Sequence, residues 1–276
     1  MQEIITLTPE QFTRFQRLIY RETGIRMQEG KVTLLSNRIR QRLRHHGISS
    51  FDEYYRLLTS GTVPGEMASF IDCITTNETH FFRTPTHFEW FGGLFLTEFA
   101  TRIREGGHEP VLRVWSAACS TGEELYSLAI CAAENAHRLV GCRRVFLGTD
   151  ISEAVLARAR EARYTSRALE LVEQRRLDRA FVADPDGQHW TVKPAIRQGC
   201  EFRRHNLLEP MRGGPFDCIF IRNVMIYFDR GSKEAAVRHL VDALAPGGYL
   251  VVGPADGIHD LVGQLQKRDT FLYQKP

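Results

Sequence analysis

The spacing of apolar residues changes along the chain and divides it. Up to about residue 75 the spacing is helical. Phe12, Phe15, Leu18 and Ile19 form one stripe behind a Thr8-Pro9-Glu10 start, and Val32, Leu35, Ile39 and Leu43 form a second over about 31–45. Gly47 ends that helix, Ser50 can cap a third over about 51–59, and a loop at 61–65 precedes a fourth from about Glu66. Residues 75–83, TTNETHFFR, hold polar groups among aromatics and read as a linker or as a lid anchored by Phe81 and Phe82. Phe88, Phe91, Leu94, Phe95 and Phe99 then predict a helix over about 85–104.

From Val111 onward, short apolar runs alternate with helical segments. The runs lie at 111–115, 145–147, 200–204 and 216–221, then after the Ala245-Pro-Gly-Gly turn, and last at 270–274. This alternation predicts an α/β fold, a doubly wound sheet behind a small all-helical N-terminal domain. Within the less regular stretch 164–204, Arg179-Ala-Phe-Val and Trp190-Thr-Val flank an Asp-Pro-Asp-Gly turn and read as a hairpin. A third strand is expected at about 195–197, giving an inserted antiparallel β-subdomain at about 175–200. The expected layout is a helical domain at 1–75, a lid and lead-in helix at 76–110, and the α/β domain at 111–276.

Residues 111–150 read as strand, tight loop, helix and strand, and the loop after Trp115 consists of small side chains that let a ligand approach the backbone. Ser120 or Thr121 can cap the following helix, with Glu123 and Glu124 in its first turn. Asp150 ends the second strand, where an acid hydrogen-bonds ribose hydroxyls in nucleotide-binding α/β folds. The expected ligand crevice lies at the carboxyl ends of the strands at 111, 145 and 216, the last ending in Arg222-Asn223. The loop holds one glycine, Gly122, and lacks the G-x-G-x-x-G pattern that cradles a pyrophosphate. Two acids there repel phosphate and suit an adenosine cofactor with an ammonium and a sulfonium, as S-adenosylmethionine has; the other reading is that they complement the helix dipole.

Composition narrows this further. A chain of 276 residues with 43% apolar side chains can bury a core, and a net charge of +3 does not mark a nucleic-acid binder. No run approaches the roughly 18 apolar residues of a membrane span, and the N-terminus lacks a signal-peptide pattern, so a cytoplasmic protein without membrane insertion is expected. The six cysteines show no C-x-x-C pair and the ten histidines no H-E-x-x-H, so no metal site is expected. Charge is concentrated on the second helix, in Lys31, Arg38, Arg40, Arg42 and Arg44; this reads as a solvated face or as a field that steers an acidic partner.

Five segments, TNETHFFR, VWSAACSTGEELYSLAI, GTDIS, HNLLEP and FDCIFIRNVMIYF, in this order and spacing, resemble the CheR chemotaxis receptor methyltransferases. The resemblance covers nearly the whole chain and implies transfer of methyl from S-adenosylmethionine to receptor glutamates, giving methyl esters and S-adenosylhomocysteine. It implies cofactor contacts at Asn77, Thr79, Arg83, Glu123, Asp150, Asn206, Leu207, Ile221, Arg222 and Asn223. Arg83 and Tyr227 are expected to orient the substrate carboxylate, and Arg38, Arg40, Arg42 and Arg44 to meet the acidic methylation region of methyl-accepting receptors. The hairpin turn ADPDGQHW is short, with a single glycine, so binding without a tether to the receptor's C-terminal pentapeptide is expected. Two other readings stay open: a receptor-binding adaptor with weak catalysis, and a methyltransferase of another acidic protein. A nucleic-acid substrate is not expected, since no aromatic-basic groove is evident.

Overall fold

The computed structural model describes residues 6–276. Four helices open the chain: α1 (Pro9–Thr23), α2 (Val32–His46), α3 (Phe51–Ser60) and α4 (Glu66–Ile74). The α1 start is a full capping box, with Thr8 and Gln11 exchanging side-chain and backbone hydrogen bonds and Pro9 in the first turn. Phe15, Ile19, Leu35, Ile39, Tyr54 and Phe70 meet in one buried cluster, as their helical spacing predicts.

This domain also contains a buried ionic knot. Arg42 and His46, both on α2, pair with Glu66 at the start of α4, His46 Nε2 at 2.7 Å from its Oε2, and Glu66 also accepts the Tyr54 hydroxyl at 2.5 Å. Burial alone would push the Glu66 carboxyl up, but hydrogen bonds from Arg42, Tyr54 and His46 outweigh it and hold it at about 2. Arg42 therefore locks α2 to α3 and α4.

After the 75–84 segment come α5 (Pro85–Trp90), a π-helical turn (Phe91–Phe95) and α6 (Leu96–Arg104), one interrupted helix where the sequence predicts one. The main sheet then follows: β1 (Val111–Ala117), α7 (Glu123–Glu134), β2 (Arg143–Asp150) and α8 (Glu153–Glu161). A three-stranded excursion leaves and returns through β3 (Arg163–Thr165), α9 (Gln174–Ala180), β4 (Phe181–Ala183), β5 (His189–Val192) and α10 (Pro194–Arg197). The chain ends with β6 (Cys200–Arg204), β7 (Phe216–Ile221), α11 (Arg230–Ala243), β8 (Leu244–Val252), β9 (Gln266–Asp269) and β10 (Leu272–Gln274). The large sheet has the order β6-β2-β1-β7-β8-β10-β9, parallel from β6 to β8 and antiparallel thereafter.

The order reverses beside β1, whose neighbours are β2 and β7, so the crevice of a doubly wound sheet opens at their carboxyl ends. Two expectations need correction. The third strand of the inserted sheet is Arg163–Thr165, and 194–197 is a helical turn; Pro194, with its fixed φ and no N–H, starts a helix and cannot serve a strand ladder. The excursion thus begins well before residue 175. Neither Ser120 nor Thr121 caps α7: the cap is Gly122 at φ 92°, where an added Cβ would lie 2.9 Å from the Ala159 Cβ.

Candidate functional site

The loop after β1 is wound tightly, with Ala118, Ser120 and Gly122 at positive φ of 61°, 49° and 92°. Only the glycine takes this conformation without strain, and strain of this kind concentrates at functional sites. Asp150 holds the loop. Its Oδ2 accepts the Ser120 N–H at 2.9 Å and its Oδ1 the Ser152 N–H at 3.0 Å, and the carboxylate keeps further acceptor capacity. Burial raises its pKa, and backbone N–H groups of Ser152, Ser120 and Ile151 oppose the rise.

A cavity of about 440 Å³, a size typical for small-molecule sites, opens over this loop. Its floor comes from the ends of β1, β2 and β7: Cys119, Ser120, Glu124, Asp150, Arg222 and Asn223. One wall is the 75–84 segment with Asn77, Thr79 and Arg83, and another is Asn206-Leu207 after β6. Tyr227, on the 3₁₀ turn (Met225–Tyr227) after β7, lines it as well.

The 75–84 segment is pinned as its aromatics suggest. Phe81 lies edge-on to Tyr164 at 4.8 Å and to Phe181 at 5.1 Å, so the inserted sheet clamps it. The Phe82 N–H donates to Ser127 Oγ at 3.0 Å, and Ser120 Oγ donates to the Asn77 carbonyl at 3.0 Å. Tyr164 also reaches the loop itself, donating to the Thr121 carbonyl at 2.7 Å.

The two glutamates of the loop part company. Successive helix residues point about 100° apart, and here one of the two faces the cavity. Glu124 lines it, with Oε2 2.8 Å from Arg222 Nε and Oε1 accepting the Ser116 hydroxyl at 2.7 Å. Glu123 does not line the cavity; it is buried beside Thr121, whose hydroxyl lies 2.7 Å from its Oε2, and burial pushes it up to about 7. The acid that the structure brings to the site is therefore Glu124, one residue after the expected one.

Arg222 is buried, with Nη1 donating to His87 Nδ1 at 3.1 Å and the guanidinium above the Phe88 ring at 5.3 Å. Burial, and then the Arg222 charge, push His87 down to about 4, so it is a neutral acceptor at neutral pH. Ile221 also departs from the expected set: as the last residue of β7 its side chain is fully buried in the core beneath the sheet and does not line the cavity.

The basic helix divides too. Arg38 faces the cavity wall, donating to the Ile74 carbonyl and to Thr76 Oγ1, the latter at 3.1 Å. Arg42 is tied to Glu66, and Arg40, two residues from Arg38 and so on the far side of the helix, bonds Asn37. Arg44 is exposed. The four arginines do not form one face, because their i, i+2 spacing spreads them around the helix.

Two further features have little or no local signal in the sequence. The segment after α1, with Ile25, Arg26, Met27, Gln28, Lys31 and Leu34, roofs the cavity. It is held by an antiparallel bridge between Ile25 and Phe228, by the Arg26 N–H to the Tyr227 carbonyl at 2.8 Å, and by Asn206 Nδ2 to the Glu22 carbonyl at 3.0 Å. The second is Asp256, fully buried, whose carboxylate accepts the N–H groups of Asn223, Val224, Met225 and Gly253 at 2.8 to 3.1 Å. It shapes the turn that presents Arg222 and Asn223, with Asn223 at φ 59°. A lone aspartate after a strand, in Gly253-Pro-Ala-Asp, is its only trace in the sequence.

The floor fits S-adenosylmethionine. Asp150 keeps acceptor capacity for ribose hydroxyls, and the Glu124 carboxylate lines the same floor; two acids there do not suit a pyrophosphate. Among the described residues there is no cluster that could hold a metal ion, and no helix is long and apolar enough to cross a membrane.

Comparison with known proteins agrees with this geometry. Residues 77–272 match the CheR methyltransferase SAM-binding domain, and residues 10–75 match the CheR methyltransferase all-alpha domain. The chain is 36% identical over 277 residues to the chemotaxis protein methyltransferase of Salmonella typhimurium, covering 99% of this chain and 92% of that protein. It is 36% identical to that of Escherichia coli, with 99% and 93% covered, and 37% identical to chemotaxis protein methyltransferase 2 of Pseudomonas aeruginosa, with 90% and 87% covered. From its helical domain to its last strands, the chain belongs to the CheR family of S-adenosylmethionine-dependent methyltransferases.

Proposed function

We propose that this methyltransferase esterifies glutamate side chains in the cytoplasmic methylation region of chemotaxis receptors, and that it works in the cytoplasm. The observation that carries the reading is the cavity itself, with acids at its floor and the cationic Arg83 and the phenolic Tyr227 reaching it from two different walls. The names of its relatives, chemotaxis protein methyltransferases, support the same substrate class.

When bound, S-adenosylmethionine supplies a methyl group on a positively charged sulfur. Asp150 would hold its ribose, Glu124 its ammonium group, and Asn206-Leu207 and Asn223 its remaining edges. A glutamate carboxylate is already ionised at neutral pH, so the protein need not remove a proton and rate comes from positioning. Arg83 donates to the Glu78 carbonyl at 3.2 Å, which leaves most of its five N–H donors for a substrate. One hydrogen bond from Arg83 and one from the Tyr227 hydroxyl to one carboxylate oxygen would aim the other, whose lone pairs stay free to attack the methyl carbon as its bond to sulfur breaks. Arg83→Ala should lower kcat about a hundredfold in single-turnover methyl transfer; an unchanged kcat removes Arg83 from the mechanism.

The function is tested by transfer of tritiated methyl to receptor-containing membranes. Base-labile label on receptor bands is the expected result, equal on receptors with and without their C-terminal pentapeptide. That equality follows from the short β4–β5 turn with its single glycine, Gly187, which supports binding without a tether. Base-stable label would indicate a nitrogen acceptor, and no label with intact cofactor binding would favour an adaptor or another acidic protein as substrate.

A further inference from the structure

Among the described residues, most exposed large apolar side chains lie away from the cavity, but two sit on its rim. Leu34, on α2, is 38% exposed, and Ile226, on the turn after β7, is 45% exposed, and both line the cavity. They come from different domains, joined there by the Ile25–Phe228 bridge and the Arg26 to Tyr227 hydrogen bond. Ile226 immediately precedes Tyr227, so the apolar contact lies beside the reacting position. The same rim carries Arg26 and Lys31, both exposed and neither paired with a carboxylate among the described residues, against one exposed acid, Glu78.

Such a rim has a defined complement. A free amino acid or small carboxylate has no need of apolar contacts outside the cavity, and a nucleic acid offers charge without aliphatic surface. An acidic polypeptide whose target glutamate has aliphatic neighbours on the same face satisfies both features at once. We infer that Leu34 and Ile226 form paired apolar contacts that seat aliphatic residues of the substrate segment on either side of the target glutamate, while Arg26 and Lys31 pair with its other acids. This rests on the receptor-glutamate reading above and assigns that substrate two recognition residues and a chemistry that charge alone does not supply.

Apolar and ionic contacts respond differently to salt, and that difference is the test. Methyl transfer to receptor membranes is measured for the full chain, Leu34→Ser, Ile226→Ser and the double variant Arg26→Ala/Lys31→Ala, at low and high salt, with cofactor affinity by calorimetry and melting temperature as the fold control. Burial of one aliphatic side chain predicts that Leu34→Ser and Ile226→Ser each raise KM for receptor about tenfold at either salt concentration, with cofactor affinity and melting temperature unchanged. The Arg26/Lys31 variant should lose receptor affinity at low salt and approach the wild type at high salt. If the wild type methylates receptors and both apolar variants keep its KM, the inference is wrong and the function stands. Weakened cofactor binding in the apolar variants would likewise overturn it, placing these residues in the cofactor cavity. A wild type that leaves receptors unlabelled overturns the function and the inference with it.

Discussion

Glu124→Ala will cost about 3–5 kcal/mol of stability and lower affinity for S-adenosylmethionine at least tenfold, roughly the worth of one charged hydrogen bond. The reason is the position of Arg222, which is buried and whose charge partner is Glu124 at 2.8 Å. With the carboxylate gone, the guanidinium keeps the neutral His87 nitrogen, the Phe88 face and an attraction to the Asp256 charge without a direct ion pair. The neighbouring acid behaves in the opposite way. Glu123 has a folded pKa of about 7 against 4.5 when unfolded, so the folded state binds the proton more tightly. Its contribution to stability is complete below about pH 4.5 and is lost as pH rises through 7, which amounts to at most about 3 kcal/mol. Glu123→Gln copies the protonated form and should therefore match the wild type near pH 5 and exceed its melting temperature near pH 8, with cofactor affinity unchanged. Thermal melts across that range together with calorimetry decide the matter. If Glu123→Gln loses the cofactor while Glu124→Gln retains it, the assignment of the two glutamates is reversed.

Asp256→Ala should be nearly as damaging. Four backbone N–H groups converge on that carboxylate in a fully buried place. An orphaned buried donor costs about 1–3 kcal/mol, and solvent entering the vacated space recovers part of it, so a net loss of about 4 kcal/mol is expected. The turn carrying Arg222, Asn223 and Tyr227 should relax, weakening the cofactor and lowering kcat together. Asp256→Asn keeps one acceptor oxygen and should fall between the wild type and alanine in both melting temperature and cofactor affinity. An alanine variant that binds cofactor like the wild type would show that the turn holds its shape without Asp256.

Much of the fold was legible before the structure. The helical stripes of the first domain, the alternation of apolar runs and helices after Val111, and the crevice at the ends of β1, β2 and β7 follow from periodicity, which reports which face of an element is buried. The pinning of the 75–84 segment also followed, because Phe81 and Phe82 are too apolar to be left in solvent. The third strand of the inserted sheet did not. Three residues, Arg163–Thr165, are too short for alternation to be seen, while the segment at 195–197 looked equally suitable but follows a proline.

The sequence by itself determined the class of the site: a nucleotide-type loop without a pyrophosphate pattern, an acid after the second strand, and polar ends on buried strands. These are local features, and local spacing encodes them. Only the tertiary structure decided which of two adjacent glutamates faces the cavity, which arginines of α2 are free, and that Asp256 and the 25–34 roof belong to the site. Each of those depends on the direction of a side chain relative to a distant element: Glu124 to Arg222, Arg42 to Glu66, Asp256 to Asn223, Ile25 to Phe228. Pairings across such separations are set when packed faces come together, and no periodicity along the chain records them.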